Sequence, residues 1–421
     1  MEPLSTPPDT TVVLPGSKSL TNRALVLAAL AAGTTTLESV LFADDTWAMI
    51  DALRALGIDV AVDDAGGTVT VSGCGGTLPG VATAVHARQS GTTGRFLTPV
   101  AALSEAPVVV DGDPQLRSRP MDDQIAALRT MGVTVEELGD RGRLPLRVTG
   151  PPNSHRVAVP GDVSSQFVSG LMLAGGVCGL DIRLTTTAVS RPYLDMTAAV
   201  MRVFGAEVSA DDGTGWVVGG GYTSPGVFRI EPDASAASYF LAAAAITGGR
   251  VRIDGIGSGS LQGDVAFADV LADMGATVAV GADHIEVRGE LVDGRPALRG
   301  VDVDLRHISD TAPTLAVVAA FAEGPTAVRG IGFVRGKESD RIGAPVAELR
   351  RCGVAAEALD DGFVVRPEGP PTAATFETYE DHRMAMAFAL VGLVVEGVAV
   401  RDPGCVAKTF PGYFGALGQL R

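Results

Sequence analysis

The chain has 421 residues, 46% of them hydrophobic, and a formal net charge of −16 from 33 basic and 49 acidic side chains. That acidity opposes nonspecific nucleic-acid binding and a basic membrane-surface patch. No apolar run reaches membrane-spanning length without a charge or glycine break, and the length suits two domains better than one. The first residues, MEPLSTPPDT, lack a basic segment and an apolar core, so they read as a disordered leader and not as a secretory signal. A strand, TTVVLP, follows. The first helix opens at Lys18-Ser19 and runs through RALVLAALAAG. Next comes an amphipathic helix that ends at Gly57, then two alternating strands around an acidic, Gly-containing turn.

This unit recurs about every 70 to 78 residues, six times. Later copies open at Gly91-Thr92, Ser164-Ser165, Ser235-Ala236, Asp310-Thr311 and His382-Arg383, each running into an Ala-rich apolar helix. Their amphipathic helices end at Gly132, Gly205, Gly275 and Gly353, where a glycine just past the helix can take positive φ. The sixth copy stops after FPGYFGALGQLR without a hairpin, and the N-terminal strand is expected to complete that C-terminal module.

The expected fold class is α/β, with two similar domains, each of three repeated βαβαββ-type modules with buried parallel helices. The N-terminal domain is expected at 15–229, and the C-terminal domain at 1–14 plus 230–421. The chain would cross between them near Leu14-Pro15-Gly16 and in the Gly/Pro-rich GGGYTSPGVFRIEPD. Two crossovers make a double hinge, which favours opening and closing of the domains. A rigid solenoid of stacked repeats ranks lower, because the modules are long and the termini share one unit.

Helices apolar on all sides are buried helices, so the polar residues at their starts must cap the free amides or help bind something. Helix N-termini attract anions. Eight basic residues, Lys18, Arg23, Arg95, Arg119, Lys337, Arg341, Arg383 and Lys408, fall at or near these junctions. A single Lys or Arg is usually a surface cation, but a set at repeated helix starts suits two polyanionic small molecules. The four cysteines (Cys74, Cys178, Cys352, Cys405) form no CxxC pair or metal spacing, so reduced thiols in a cytoplasmic protein are expected. HExxH, Walker A and Rossmann fingerprints are absent, and the Gly-rich GGTVTVSGCGG is read as part of a hairpin.

The motifs VLPGSKSLTNRALVLAALAAG, SGTTGRF, LRSRPM, VSSQFVSGLML, SRPYLDMT, DASAASYFLAAAAI, LQGDVAFADVL, RGKESDRI, YEDHRMAMAFAL and DPGCVAKTFPGYF occur in this order. From about residue 12 to the end, the chain resembles the 5-enolpyruvylshikimate-3-phosphate synthases. The related UDP-N-acetylglucosamine enolpyruvyl transferases open with a GAKN-type motif and carry a Cys in the loop that here reads DPQLRSRP. The resemblance implies an inside-out α/β barrel architecture and transfer of the enolpyruvyl group of phosphoenolpyruvate to shikimate 3-phosphate, in the pathway to chorismate and the aromatic amino acids. It implies small-molecule substrates, no metal or organic cofactor, no nucleic-acid or membrane partner, a monomer, a cytoplasmic location and competition by glyphosate.

Residue by residue, the resemblance assigns the acceptor phosphate to Ser164, Ser165 and Ser190. The carboxylate and ring hydroxyls fall to Ser19, Arg23, Gln166 and Tyr193, with Lys18, Asp310 and Lys337 completing the acceptor set. Phosphoenolpyruvate falls to Lys18, Gly91, Arg119, Gln166, Arg341, Arg383 and Lys408. Asp310 is the implied base toward the ring hydroxyl. Lys18 and Glu338 both remain candidates for the proton at the methylene carbon, and His382 has a supporting role. The chain departs from the family at Gln89 and Phe333, where relatives carry Asn, and at Phe96, where many carry Pro. Two other readings are a paralogue acting on a different phosphorylated cyclic alcohol and a noncatalytic anion-binding scaffold. Phosphate release from phosphoenolpyruvate, with and without shikimate 3-phosphate, separates all three.

Overall fold

The computed structural model describes residues 1–211 and 214–421. The chain divides into two compact units: Gly16–Glu231, and Met1–Pro15 with Pro232–Arg421.

In Gly16–Glu231 the apolar helices are Lys18–Leu30, Gly91–Ala101 and Ser165–Cys178. Each leads into a strand, a second helix and a hairpin, and each module forms a four-stranded sheet. In the second module, Thr83–His86 lies parallel to Val108–Asp111, which pairs antiparallel with Leu146–Thr149, itself paired with Thr134–Glu137. The third repeats this order with Arg156–Val159, Leu180–Leu184, Gly215–Gly219 and Glu207–Asp211. The first borrows its opening strand from the far end of the unit: Val227–Arg229 runs parallel to Thr34–Glu38. The unit thereby closes on itself. Alternation decides the faces, since Val69 and Val71 of Thr68–Ser72 are buried while Thr68 and Thr70 are partly exposed and Ser72 is exposed.

The second unit repeats the plan with Ala234–Thr247, Ala312–Ala319 and His382–Ala389 as buried helices. Of the 14 residues in Ala234–Thr247, 13 are buried, so this helix has no polar face. Its long alanine run lets neighbouring backbones come close without side chains to accommodate. The five glycines expected to end amphipathic helices, Gly57, Gly132, Gly205, Gly275 and Gly353, all have φ between +80° and +113°.

Two expectations about the N-terminus are corrected. The strand Asp9–Val12 does not complete the C-terminal module. It pairs in parallel with Arg250–Asp254, in the fourth module, with Asp9 opposite Arg250 and their side chains 2.8 Å apart. It thus supplies the opening strand that Val227–Arg229 supplies in the other unit. The sixth module keeps a two-stranded sheet, Thr375–Phe376 with Ala399–Val400, and ends in the helix Tyr413–Gly418. The leader is not disordered either. The Met1 ammonium donates to the Val398 carbonyl at 2.5 Å, the Leu4 amide to the Leu393 carbonyl at 2.9 Å, and the Leu4 side chain packs on the core. One apolar side chain and these backbone bonds offset the ordering cost that polarity alone suggested.

Candidate active site

Five of the six buried helices carry a side-chain cap. Ser17 accepts from the Leu20 amide at 3.4 Å, Ser90 from Thr93 at 3.2 Å, Ser164 from Gln166 at 3.3 Å, Asp233 from Ala236 at 2.8 Å and Asp381 from Arg383 at 2.9 Å. The remaining helix, Ala312–Ala319, instead follows a tight turn, Ser309–Thr311, whose Thr311 hydroxyl donates back to the Ile308 carbonyl at 2.8 Å. The caps sit at or just before the polar openings, so each satisfies one free amide at its helix start.

In Gly16–Glu231, Gly91 lies where several groups converge. A Cβ there would stand 3.0 Å from Arg119 Nη1, 3.6 Å from Arg95 Nη1 and 3.6 Å from Gln166 Oε1. Gln166 is fixed from both sides: its oxygen accepts from Arg95 at 2.7 Å and its nitrogen donates to the Thr92 hydroxyl at 3.1 Å. Arg95 also lies over the Phe167 ring. The result is a glycine floor beneath two buried guanidinium groups and an oriented amide, a shape suited to a carboxylate or phosphate. Lys18 starts the first helix with its ammonium 3.4 Å from the buried Asp45.

Arg23 is largely committed to the protein. It donates to Thr197 Oγ1 at 2.7 Å, to the Ser19 carbonyl at 3.0 Å, to Ser169 Oγ at 3.3 Å and to the Tyr193 carbonyl at 3.1 Å, and it stacks over Phe96. A guanidinium has five N–H donors, so one Nη1 hydrogen is left for a ligand. Burial lowers the Arg23 pKa to about 10, still well above neutrality. The loops before Ser165 and Ser190 are stitched together: Val189 donates to the Gly161 carbonyl at 2.9 Å, and Thr186 Oγ1 to Asp162 at 2.7 Å. Ser190 itself is buried in a left-handed conformation, φ +50°, at the start of Arg191–Val203, with Tyr193 in the first turn.

In the second unit, Arg341 is 2% exposed and meets three carboxylates. Its Nη1 donates to Asp310 Oδ1 at 3.0 Å, its Nη2 to Glu338 Oε2 at 2.7 Å and its Nε to Asp381 Oδ2 at 2.8 Å. Burial pulls the Arg341 pKa down, but the charges of Asp381, Glu338 and Asp310 outweigh burial and hold it above its ordinary value. The other oxygen of Asp310 accepts from Arg383 Nη2 at 2.6 Å. Asp310 is therefore held on both oxygens by buried arginines from two different modules. Lys337 and Glu338 follow the short turn Gly332–Gly336, and Lys408 ends the Pro403–Lys408 turn, which packs on the helix bearing Arg383. His382 is buried, with Nδ1 3.6 Å from Asp381. Phe333 is partly buried and packs on the hydrophobic core.

Gly91, Arg119 and Gln166 thus come together in one unit, and Asp310, Glu338, Arg341 and Arg383 in the other. Sequence reasoning did not single out Asp381, Asp45 or Asp264, and it left Arg95 without a ligand. Asp381 was visible as an acid just before a buried helix, the usual position of a cap. Asp264 is buried, hydrogen-bonded by Ser235, and burial together with the Asp310 charge pushes its pKa up to about 6. Among the described residues, no group of three or more His, Cys, Asp or Glu side chains is arranged to hold a metal ion, and no helix is long and apolar enough to cross a membrane.

Residues 5–417 match the family profile described as EPSP synthase (3-phosphoshikimate 1-carboxyvinyltransferase). The 3-phosphoshikimate 1-carboxyvinyltransferase of Serratia proteamaculans (strain 568) is 45% identical over 418 residues, covering 97% of this chain and 96% of that protein. The protein of the same name from Yersinia pestis bv. Antiqua (strain Angola) is 44% identical over 416 residues, covering 97% and 96%. Among solved structures, an EPSP synthase from Acinetobacter baumannii superimposes with a TM-score of 0.83 at 28% identity, covering 100% of this chain and 97% of that one. The enolpyruvyl transferase NikO from Streptomyces tendae, at 22% identity and a TM-score of 0.76 over 99% of this chain and 95% of that one, shares the fold. The chain belongs to the EPSP synthase (3-phosphoshikimate 1-carboxyvinyltransferase) family.

Proposed function

We propose that this protein transfers the enolpyruvyl group of phosphoenolpyruvate to the 5-hydroxyl of shikimate 3-phosphate and releases inorganic phosphate. The observation that carries the reading is Asp310, held on one oxygen by Arg341 and on the other by Arg383, with Glu338 on the same Arg341. A fixed carboxylate can take the hydroxyl proton, and a second acid nearby can serve the methylene carbon. A proton adds to C3 of phosphoenolpyruvate, and the hydroxyl oxygen attacks the cationic C2 as its own proton leaves to Asp310. The tetrahedral adduct then loses phosphate from C2 and a proton from the methyl group, which restores the vinyl double bond. Glu338 and Lys18 are the groups for the C3 proton.

In this reading Ser164, Ser165 and Ser190 bind the acceptor phosphate. Ser19, Gln166, Tyr193 and the remaining Arg23 donor bind the acceptor's carboxylate and hydroxyls. Gly91, Arg119, Gln166, Arg341, Arg383 and Lys408 are the groups for phosphoenolpyruvate. Guanidinium pairs placed before the reaction stabilise the departing phosphate without reorganising. The test is phosphate release from phosphoenolpyruvate by the purified chain. Release is expected with shikimate 3-phosphate and not without it. Release that ignores shikimate 3-phosphate but follows another phosphorylated cyclic alcohol would move the paralogue reading ahead, and no release with any acceptor would favour a binding scaffold.

A further inference from the structure

The segment before His382 is strained where its sequence offers no relief. The Asp381 amide donates to the Thr378 carbonyl at 2.9 Å, closing a tight turn, and the two central residues, Tyr379 and Glu380, both have φ of +55°. Consecutive left-handed residues define a turn that Asn-Gly adopts readily; a Tyr-Glu pair pays a steric penalty at both positions. Strain of this kind persists where the surroundings impose it, and it clusters at functional sites.

The surroundings here are specific. Glu348 is 0% exposed, and its carboxylate accepts from the Tyr379 hydroxyl at 2.7 Å, from the Glu377 amide at 3.0 Å and from Arg351 Nε at 2.9 Å. Tyr379 is 42% exposed, so its hydroxyl, more than burial of its ring, ties it down. Burial and the bond to Glu348 push the Tyr379 phenol up to about 12, so it stays a donor at neutral pH. The residue that leaves the turn is Asp381, 0% exposed, which meets Arg341 with both oxygens at 2.8 and 3.1 Å, accepts from Ser339 at 2.9 Å and caps the helix that carries Arg383.

We propose that Tyr379 and Glu348 are positioning residues for the reaction: through the strained Thr378–Asp381 turn they set Asp381, and through Asp381 the Arg341–Asp310–Arg383 network. The inference rests on the enolpyruvyl-transfer reading above. In it, Tyr379 and Glu348 act through Asp381.

The test compares the full-length chain with Tyr379→Phe, Glu380→Gly and the double variant. The readouts are KM and kcat for both substrates and thermal unfolding. Tyr379→Phe is expected to raise KM for phosphoenolpyruvate about tenfold, the scale of one hydrogen bond to a buried charge, and KM for shikimate 3-phosphate much less. Glycine accepts φ of +55° without strain, so adding Glu380→Gly is expected to bring KM back to within about threefold of the parent. Glu380→Gly alone is expected to raise Tm, an outcome that needs neither activity nor a stable Tyr379→Phe protein. The proposal is overturned if Tyr379→Phe leaves KM unchanged and merely lowers the amount of active enzyme. It is equally overturned if the double variant stays as impaired as Tyr379→Phe, or if Glu380→Gly lowers Tm. A parent chain with no acceptor-dependent phosphate release would sink the functional reading instead, while the Tm of Glu380→Gly still reports on the turn.

Discussion

Asp310 gives one oxygen to Arg341 at 3.0 Å and the other to Arg383 at 2.6 Å. Asp310→Asn keeps the shape and removes the charge and the proton-accepting capacity. Turnover is expected to fall about a hundredfold or more, the scale of a lost general base, while the dissociation constant of shikimate 3-phosphate by calorimetry shifts far less. Near-normal turnover would place the base elsewhere. Asp264 makes a second test, on stability. Ser235 bonds it, and Asp310, Arg383 and Asp233 act on its charge; burial first, and then Asp310, raise its pKa from 3.8 to about 6. The folded state therefore holds the proton more tightly than the unfolded chain. The associated stability is present below about pH 4 and is lost as pH rises through about 6. Asp264→Asn does not titrate, so its Tm relative to the parent is expected to rise as pH is raised across that window. A constant or falling difference would contradict the assignment. At this scale the sequence revealed charged residues at helix starts but not their partners. Arg23 reads as a ligand-binding cation, yet four protein oxygens take most of its donors. Asp381 reads as a helix cap, and only the fold brings it to Arg341.

The six buried helices were legible because each couples a polar start to an apolar run, and the amphipathic helices because a glycine with positive φ ends each of the first five. The opening strands were not legible as partners. Asp9–Val12 and Val227–Arg229 are only 4 and 3 residues long, and they pair in parallel across long stretches of chain. A periodicity of two marks a strand but does not name its neighbour. The caps are testable individually. Asp233 accepts from the Ala236 amide at 2.8 Å at the head of the nearly wholly buried Ala234–Thr247 helix. Asp233→Ala is expected to lower unfolding stability by about 1 kcal/mol, read as a lower denaturant midpoint at unchanged slope. An unchanged midpoint would show that the amide is satisfied without the cap.

The whole chain builds its second unit from two separated segments, Met1–Pro15 and Pro232–Arg421, so Gly16–Glu231 is in effect inserted between a strand and its sheet. Repetition made the number of modules readable, and the order of motifs made the family readable. The proposed reaction passes through an adduct whose former methylene carbon is a methyl group, which loses a proton as phosphate departs. Run in deuterium oxide with phosphoenolpyruvate and shikimate 3-phosphate, and analysed by mass spectrometry and proton NMR, the reaction reports each step. The product is expected to be shikimate 3-phosphate enlarged by one carboxyvinyl group, with one phosphate released per transfer and deuterium in the vinyl methylene. Transfer with no deuterium at that carbon, or no carboxyvinyl product at all, would contradict the account.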